Sequence, residues 1–155
     1  MKTVELKIWA FQPGSYSGLA RLFTWIVCAW TKSRFGHIGF SLGADYYEAD
    51  IKTGVTRFNN VPPRATPIYR GRTSQTVVDW VEQQVGKPYD IRGVLGFLTH
   101  KCHDSDYHLR WFCSELATAV LRRSGVHILP GIPAFRISPG MLVNAFHPKL
   151  ACFFR

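Results

Sequence analysis

Apolar and polar residues alternate from Thr3 to Phe11, and that alternation predicts a first strand. The turn-rich loop Gln12 to Gly18 then leads into an amphipathic segment. Leu19, Leu22, Phe23, Ile26, Val27 and Trp30 recur there at i, i+3, i+4, i+7 spacing, predicting a helix whose stripe packs on a sheet. From Phe35 to Gly43 the period returns to two. Ile38, Phe40 and Leu42 fall on one face, and His37, Gly39 and Ser41 on the other. Turns at Gly43–Asp45 and Lys52–Gly54 continue this strand into Tyr46–Ile51 and Val55–Phe58 as an antiparallel meander. The proline-rich stretch from Val61 to Pro67 precedes a short strand at Ile68–Arg70. A second helix follows, capped by Ser74 or Thr76, with Val77, Val78, Val81 and Val85 facing inward and Gly86 ending it. Pro88 turns the chain before a third, apolar helix over Ile91–Thr99. The expected fold class is α+β: a small, mainly antiparallel sheet of four to six strands with helices packed against one side.

The chemistry concentrates where the last predicted helix begins, at Cys113 in Arg110-Trp-Phe-Cys-Ser-Glu-Leu-Ala. Leu116, Ala117, Val120 and Leu121 keep helical spacing. Glu115 lies in the first turn, Arg122 and Arg123 in the last, and Gly125 stops the helix. Free backbone N–H groups and the positive dipole end at such a position favour thiolate over thiol and can receive an oxyanion. A thiolate needs a base, and His37 stands on the strand face without bulky neighbours, where a glycine lets another chain approach.

The order of these pieces resembles the circularly permuted, NlpC-like branch of the papain fold, in particular the YiiX/YaeF-like bacterial and phage amidases. His37 comes first, then Glu48 in "YYEAD", "GKPYD" at Gly86–Asp90, "FCSELA" with Cys113, and "ISPGML" from Ile137. The resemblance spans about Gly18 to Ala145. It implies a permuted papain-like fold and a Cys113–His37 hydrolase or acyl transferase with Glu48 as third, orienting residue and Tyr89 near the pocket. The leading expectation is hydrolysis of an amide, such as a cell-wall peptide bond, through a thioester. Ser114, Gly39 and Ser41 join Tyr89 as expected substrate-facing residues. Lipid-acyltransferase members of the group usually carry asparagine before the cysteine and histidine soon after it. Here Phe112 precedes Cys113 and Glu115 follows, which counts against that version while leaving lipid amides and esters open.

Ladder counting leaves the third residue open between two acids. A tight turn at Ala44-Asp45 pairs Ser41 with Glu48 and Gly39 with Asp50, placing both acids on the His37 face; an odd-length loop buries them. In that register Glu48 lies four residues, about 13 Å, along the strand from the level of His37. Asp50 is nearer, and only the resemblance favours Glu48.

Composition narrows the alternatives. The chain has 155 residues, 46% of them hydrophobic and 14% aromatic, enough for one domain with one core. Cys28, Cys102, Cys113 and Cys152 form no C-x-x-C pair and are expected as free thiols. A dense polar run gathers His100, Cys102, His103, Asp104, Asp106 and His108, but lacks the second ligand pair of a structural zinc site, so no metal or other cofactor is expected. The charge of +9 suits an anionic or cell-wall-derived partner. Its basic residues are scattered and match no nucleic-acid module, so no specific nucleic-acid partner is expected. The apolar run from Leu19 to Trp30 is interrupted by Arg21 and too short to cross a bilayer. Glu5 stands where a signal peptide carries its apolar region, so a protein in the cytoplasm when synthesised, or one associated with a phage, is the expectation; a monomer is expected as well. A catalytically inactive module that binds a cell-wall, lipid or nucleic-acid ligand is the competing reading.

Overall fold

The computed structural model describes residues 2–99 and 109–151. Five strands form one antiparallel sheet in the order β4-β3-β2-β1-β5: β1 (Thr3–Phe11), β2 (His37–Leu42), β3 (Asp45–Asp50), β4 (Gly54–Phe58) and β5 (Thr66–Ser74). The helices are α1 (Gly18–Thr31), α2 (Gln75–Glu82), α3 (Ile91–Thr99), α4 (Cys113–Arg123), α5 (Pro139–Phe146) and the single turn α6 (Pro148–Ala151). The architecture is α+β, as the periodicities predict.

Alternation decides which face is buried. Leu6, Ile8 and Ala10 of β1, Ile38, Phe40 and Leu42 of β2, and Tyr47 and Ala49 of β3 share the core face. Against them pack Leu116, Ala117, Val120 and Leu121 of α4, all fully buried. The opposite face of β2 carries His37, Gly39 and Ser41, with Phe11, Trp9 and Lys7 beside them on β1.

Three expectations change. The β2–β3 turn is Gly43-Ala44, one residue earlier than the Ala44-Asp45 turn, because Leu42 pairs with Asp45 and Gly43 takes φ +63°, the left-handed opening of a II′ hairpin. Even parity is kept, so Glu48 stays on the His37 face. It now pairs with Gly39, two residues or roughly 7 Å along the strand from His37 rather than four. Strand β5 runs nine residues instead of three, since Arg70 and Arg72 sit as polar members of an alternating strand and reach Glu5 Oε1 (2.6 Å) and Thr3 Oγ1 (2.7 Å) on β1.

The third change is the face of α1. Thr24 and Cys28 are its buried residues, flanked by half-buried Phe23 and Val27, while Leu22, Ile26 and Trp30 of the predicted inward stripe stand 55, 41 and 55% exposed. The cause is close approach. A Cβ at Gly36, just ahead of β2, would lie 2.4 Å from the Thr24 carbonyl oxygen and 2.8 Å from Cys28 Sγ, leaving room for small side chains only.

Candidate active site

The site forms where the first residue of β2 meets the first residue of α4. Phe112, extended at φ −104° and ψ 166°, delivers Cys113 into the helix and makes no side-chain cap hydrogen bond, while Glu115 Oε2 accepts from the Phe112 N–H. The first N–H groups of α4 have no intrahelical partner. Cys113 (4% exposed), His37 (7%), Glu48 (8%) and Tyr89 (7%) are all buried.

His37 is held on two sides. Its Nε2 lies 3.0 Å from Glu48 Oε2, and the Cys113 side chain interacts with the same ring. Glu48 reaches it diagonally across the β2–β3 pair and is itself fixed by Tyr46 Oη, which donates to the same Oε2 at 2.7 Å. Asp50, the reserve candidate, is used otherwise: its Oδ1 accepts from the Lys52 N–H at 2.8 Å in the turn toward β4.

The electrostatics follow from this packing. Burial pushes the His37 imidazole down, but the negative charge and hydrogen bond of Cys113, then those of Glu48, outweigh it and raise the group to about 10. Burial pushes Glu48 up, and the hydrogen bond and charge of His37 together with the Tyr46 hydroxyl bring it below the usual carboxylate value. The arrangement favours a protonated imidazole beside the Glu48 carboxylate. Glu115, one turn into α4, shows the reverse: burial, with Asp90 adding, pushes it up to about 8, because its acceptor role is limited to the Phe112 N–H at 3.4 Å.

Tyr89 interacts with the Cys113 side chain, lines the hollow beside it and is tied to the segment before α4 by its bridge to Trp111. Burial and the Cys113 charge hold its phenol well above the ordinary tyrosine value. Gly39, Ser41 and Ser114, expected to face substrate, are committed to the fold. The Tyr46 ring fills the space above Gly39, where a Cβ would lie 2.0 Å from Tyr46 Oη. Ser41 Oγ accepts from Trp9 Nε1 at 3.0 Å, and fully buried Ser114 donates to the Ile137 carbonyl at 2.7 Å.

Tyr16 is the residue that sequence reasoning missed. It follows the turn Pro13–Ser15 and meets the His37 ring edge to face at 5.3 Å. Its Oη is buried with no hydrogen-bond partner, and its phenol is held above the ordinary value by burial and then by the charges of Glu48, Cys113 and Asp50. A buried, unpaired donor beside Cys113 and His37 is placed to hydrogen-bond a ligand oxygen that reaches this site.

A small hollow of about 20 Å³ opens beside Cys113. Val27 and Trp30 of α1, Val94 of α3, Phe112, Tyr89 and Pro139 line it, with Cys113 in its wall. Among the described residues no group of three His, Cys, Asp or Glu side chains is placed to hold a metal ion, and the His100–His108 cluster, with Cys102, lies outside them, as does Cys152. Compared with protein-family models, curated proteins and solved structures, the chain matches none.

Proposed function

We propose that the protein is a cysteine-dependent hydrolase or acyl transferase of the permuted papain-like, NlpC-like kind that its sequence resembles. The observation that carries this reading is His37 held between Cys113 and Glu48, with Cys113 as the first residue of a helix. Cys113 as thiolate attacks the substrate carbonyl carbon. The C–S bond forms while the carbonyl electron pair moves to oxygen, which the early α4 N–H groups and Tyr16 Oη receive. The His37 imidazolium gives its proton to the leaving nitrogen or oxygen, the bond to it breaks, and a thioester remains. Neutral His37 then takes a proton from water as the water oxygen attacks the thioester. The acid departs and the thiolate–imidazolium pair is restored. Glu48, touching only the imidazole, is a positioning residue that also stabilises its charged form.

An amide is the leading bond, and a cell-wall peptide is what the resemblance implies. The pocket favours a second reading of the same chemistry. Its apolar lining suits an acyl chain better than a polar peptide stem, which supports a lipid amide or ester as substrate.

The test is trapping of the acyl-enzyme. Long-chain acyl p-nitrophenyl esters, N-acyl amides and muropeptides are offered in turn, and intact-mass spectrometry follows a hydroxylamine-labile adduct on Cys113. The reading expects such an adduct with at least one class and none in Cys113→Ala. Turnover unchanged in Cys113→Ala, or no adduct with any class, overturns it.

A further inference from the structure

Leu22, Trp25, Ile26 and Trp30 of α1 are 55, 59, 41 and 55% exposed and lie along one side of a 14-residue helix that has no acidic residue. A stripe of two tryptophans, a leucine and an isoleucine left in water along one helix is a contiguous apolar surface of the kind that marks an interaction site. The charge on α1 and in the chain flanking it has one sign. From Leu6 to Ala44 the sequence contains Lys7, Arg21, Lys32 and Arg34 and no Asp or Glu, and Arg21, Lys32 and Arg34 are exposed. At the start of neighbouring α3, Ile91 is 45% exposed beside exposed Arg92, and Met141 of α5 is 36% exposed. The same side of the molecule holds the pocket mouth: α1 supplies Val27, Trp30 and Thr31 to the lining, α3 supplies Val94 and α5 supplies Pro139.

We propose that this face is an interfacial docking surface for an anionic phospholipid membrane. Helix α1 lies in the plane of the bilayer surface, with Leu22, Trp25, Ile26 and Trp30 at the boundary between headgroups and acyl chains and Arg21, Lys32 and Arg34 at lipid phosphates. Tryptophan and leucine on one side with basic residues around them are the composition of helices that lie on membranes, and no helix among the described residues is long and apolar enough to cross one. Charge complementarity selects this occupant over a second copy of the chain. Pairing two such faces would set Arg21, Lys32 and Arg34 of both copies together with no acidic residue of α1 to offset them. Because Trp30 is both exposed and part of the pocket wall, a docked molecule presents the pocket to the lipid layer. The inference stands on the α1 face and its charge and is independent of whether Cys113 performs chemistry.

The experiment is co-sedimentation of the full chain with phosphatidylcholine vesicles, with and without phosphatidylglycerol, at low and high salt, using both the wild type and Cys113→Ala. Both proteins should bind vesicles containing phosphatidylglycerol, lose affinity at high salt and bind phosphatidylcholine alone weakly. Leu22→Ser/Trp25→Ser should bind about tenfold or more weakly while keeping the wild-type melting temperature. Should that variant fold poorly, quenching of wild-type tryptophan emission by brominated acyl chains reads the same contact without a substitution. Absence of vesicle binding, equal binding by the variant, or absence of quenching overturns the proposal. So does concentration-dependent dimerisation that the variant abolishes, since the face then belongs to a second copy. Loss of acyl-enzyme formation with vesicle binding intact would count against the proposed chemistry and leave the surface standing.

Discussion

Cys28 and Cys113 are both buried, one in the middle of α1 and one at the start of α4, and they are placed for opposite ends. Cys28 sits against Gly36 and the Thr24 backbone in apolar surroundings, and burial pushes its thiol up to about 12. Cys113 stands at a helix start beside His37 and Tyr89, with a pocket on its open side. The helices differ in the same way. Residues Cys113–Thr118 of α4 are buried without a break, polar ones included, whereas α1 turns its largest apolar residues outward. Burial alone therefore fixes neither reactivity nor the inward face of a helix; the identity of the neighbouring groups does.

The sharpest break of this comparison is selective alkylation. At neutral pH a thiol raised to about 12 holds on the order of one part in 10⁴ to 10⁵ as thiolate, so limiting iodoacetamide should modify Cys113 far ahead of Cys28. Peptide mapping that finds Cys28 modified first would remove the nucleophile assignment. Next in size is the packing contrast. Leu116→Ala, in the fully buried part of α4, should cost about 2–5 kcal/mol, while Leu22→Ala on the exposed face of α1 should stay within about 0.5 kcal/mol, both read from chemical denaturation.

A third prediction concerns Glu48. Glu48→Gln keeps an acceptor near His37 but loses the charge, so kcat/KM should fall about 10- to 100-fold, the worth of a charge-assisted hydrogen bond. The pH at which His37 loses its proton should fall with it. The smallest effect is diagnostic through its sign. Tyr16→Phe removes a buried hydroxyl without a partner, so the protein should gain about 1 kcal/mol of stability while turnover falls about tenfold. A variant both less stable and fully active would assign Tyr16 to packing.

Much of the frame was legible in the sequence because it rests on period-2 and period-3.6 patterns: the β1–β4 meander, α3, α4 and the His37 face followed from them. Cys113 and His37 were legible as a helix-start thiol and a histidine on a sparse strand face. Glu48 was reachable in parity but not in register, since one residue of turn position moves the pairing by two and only the backbone of Gly43 decides it. The α1 face was misread because a stripe reports amphipathicity, whereas the side that goes inward was set by a close approach to the Gly36 backbone just ahead of β2. Gly39 read as open space, and the space belongs to the Tyr46 ring. Tyr16 gave no local signal at all: it lies in a turn-rich loop, and its meaning comes from packing against a strand it does not adjoin in sequence.

The central claim is that His37 carries its proton because Cys113 and Glu48 surround it with negative charge, and NMR titration of the His37 ring tests it most directly. In the wild type the ring should titrate at about 10, against an ordinary 6.5, and in Cys113→Ala clearly lower. A group raised in the folded state stabilises the fold fully below its unfolded value, and that contribution is lost as pH rises through about 10. Wild-type stability should therefore decline over 6.5 to 10 more steeply than that of Cys113→Ala. A His37 ring that titrates near 6.5 in both proteins would contradict the account.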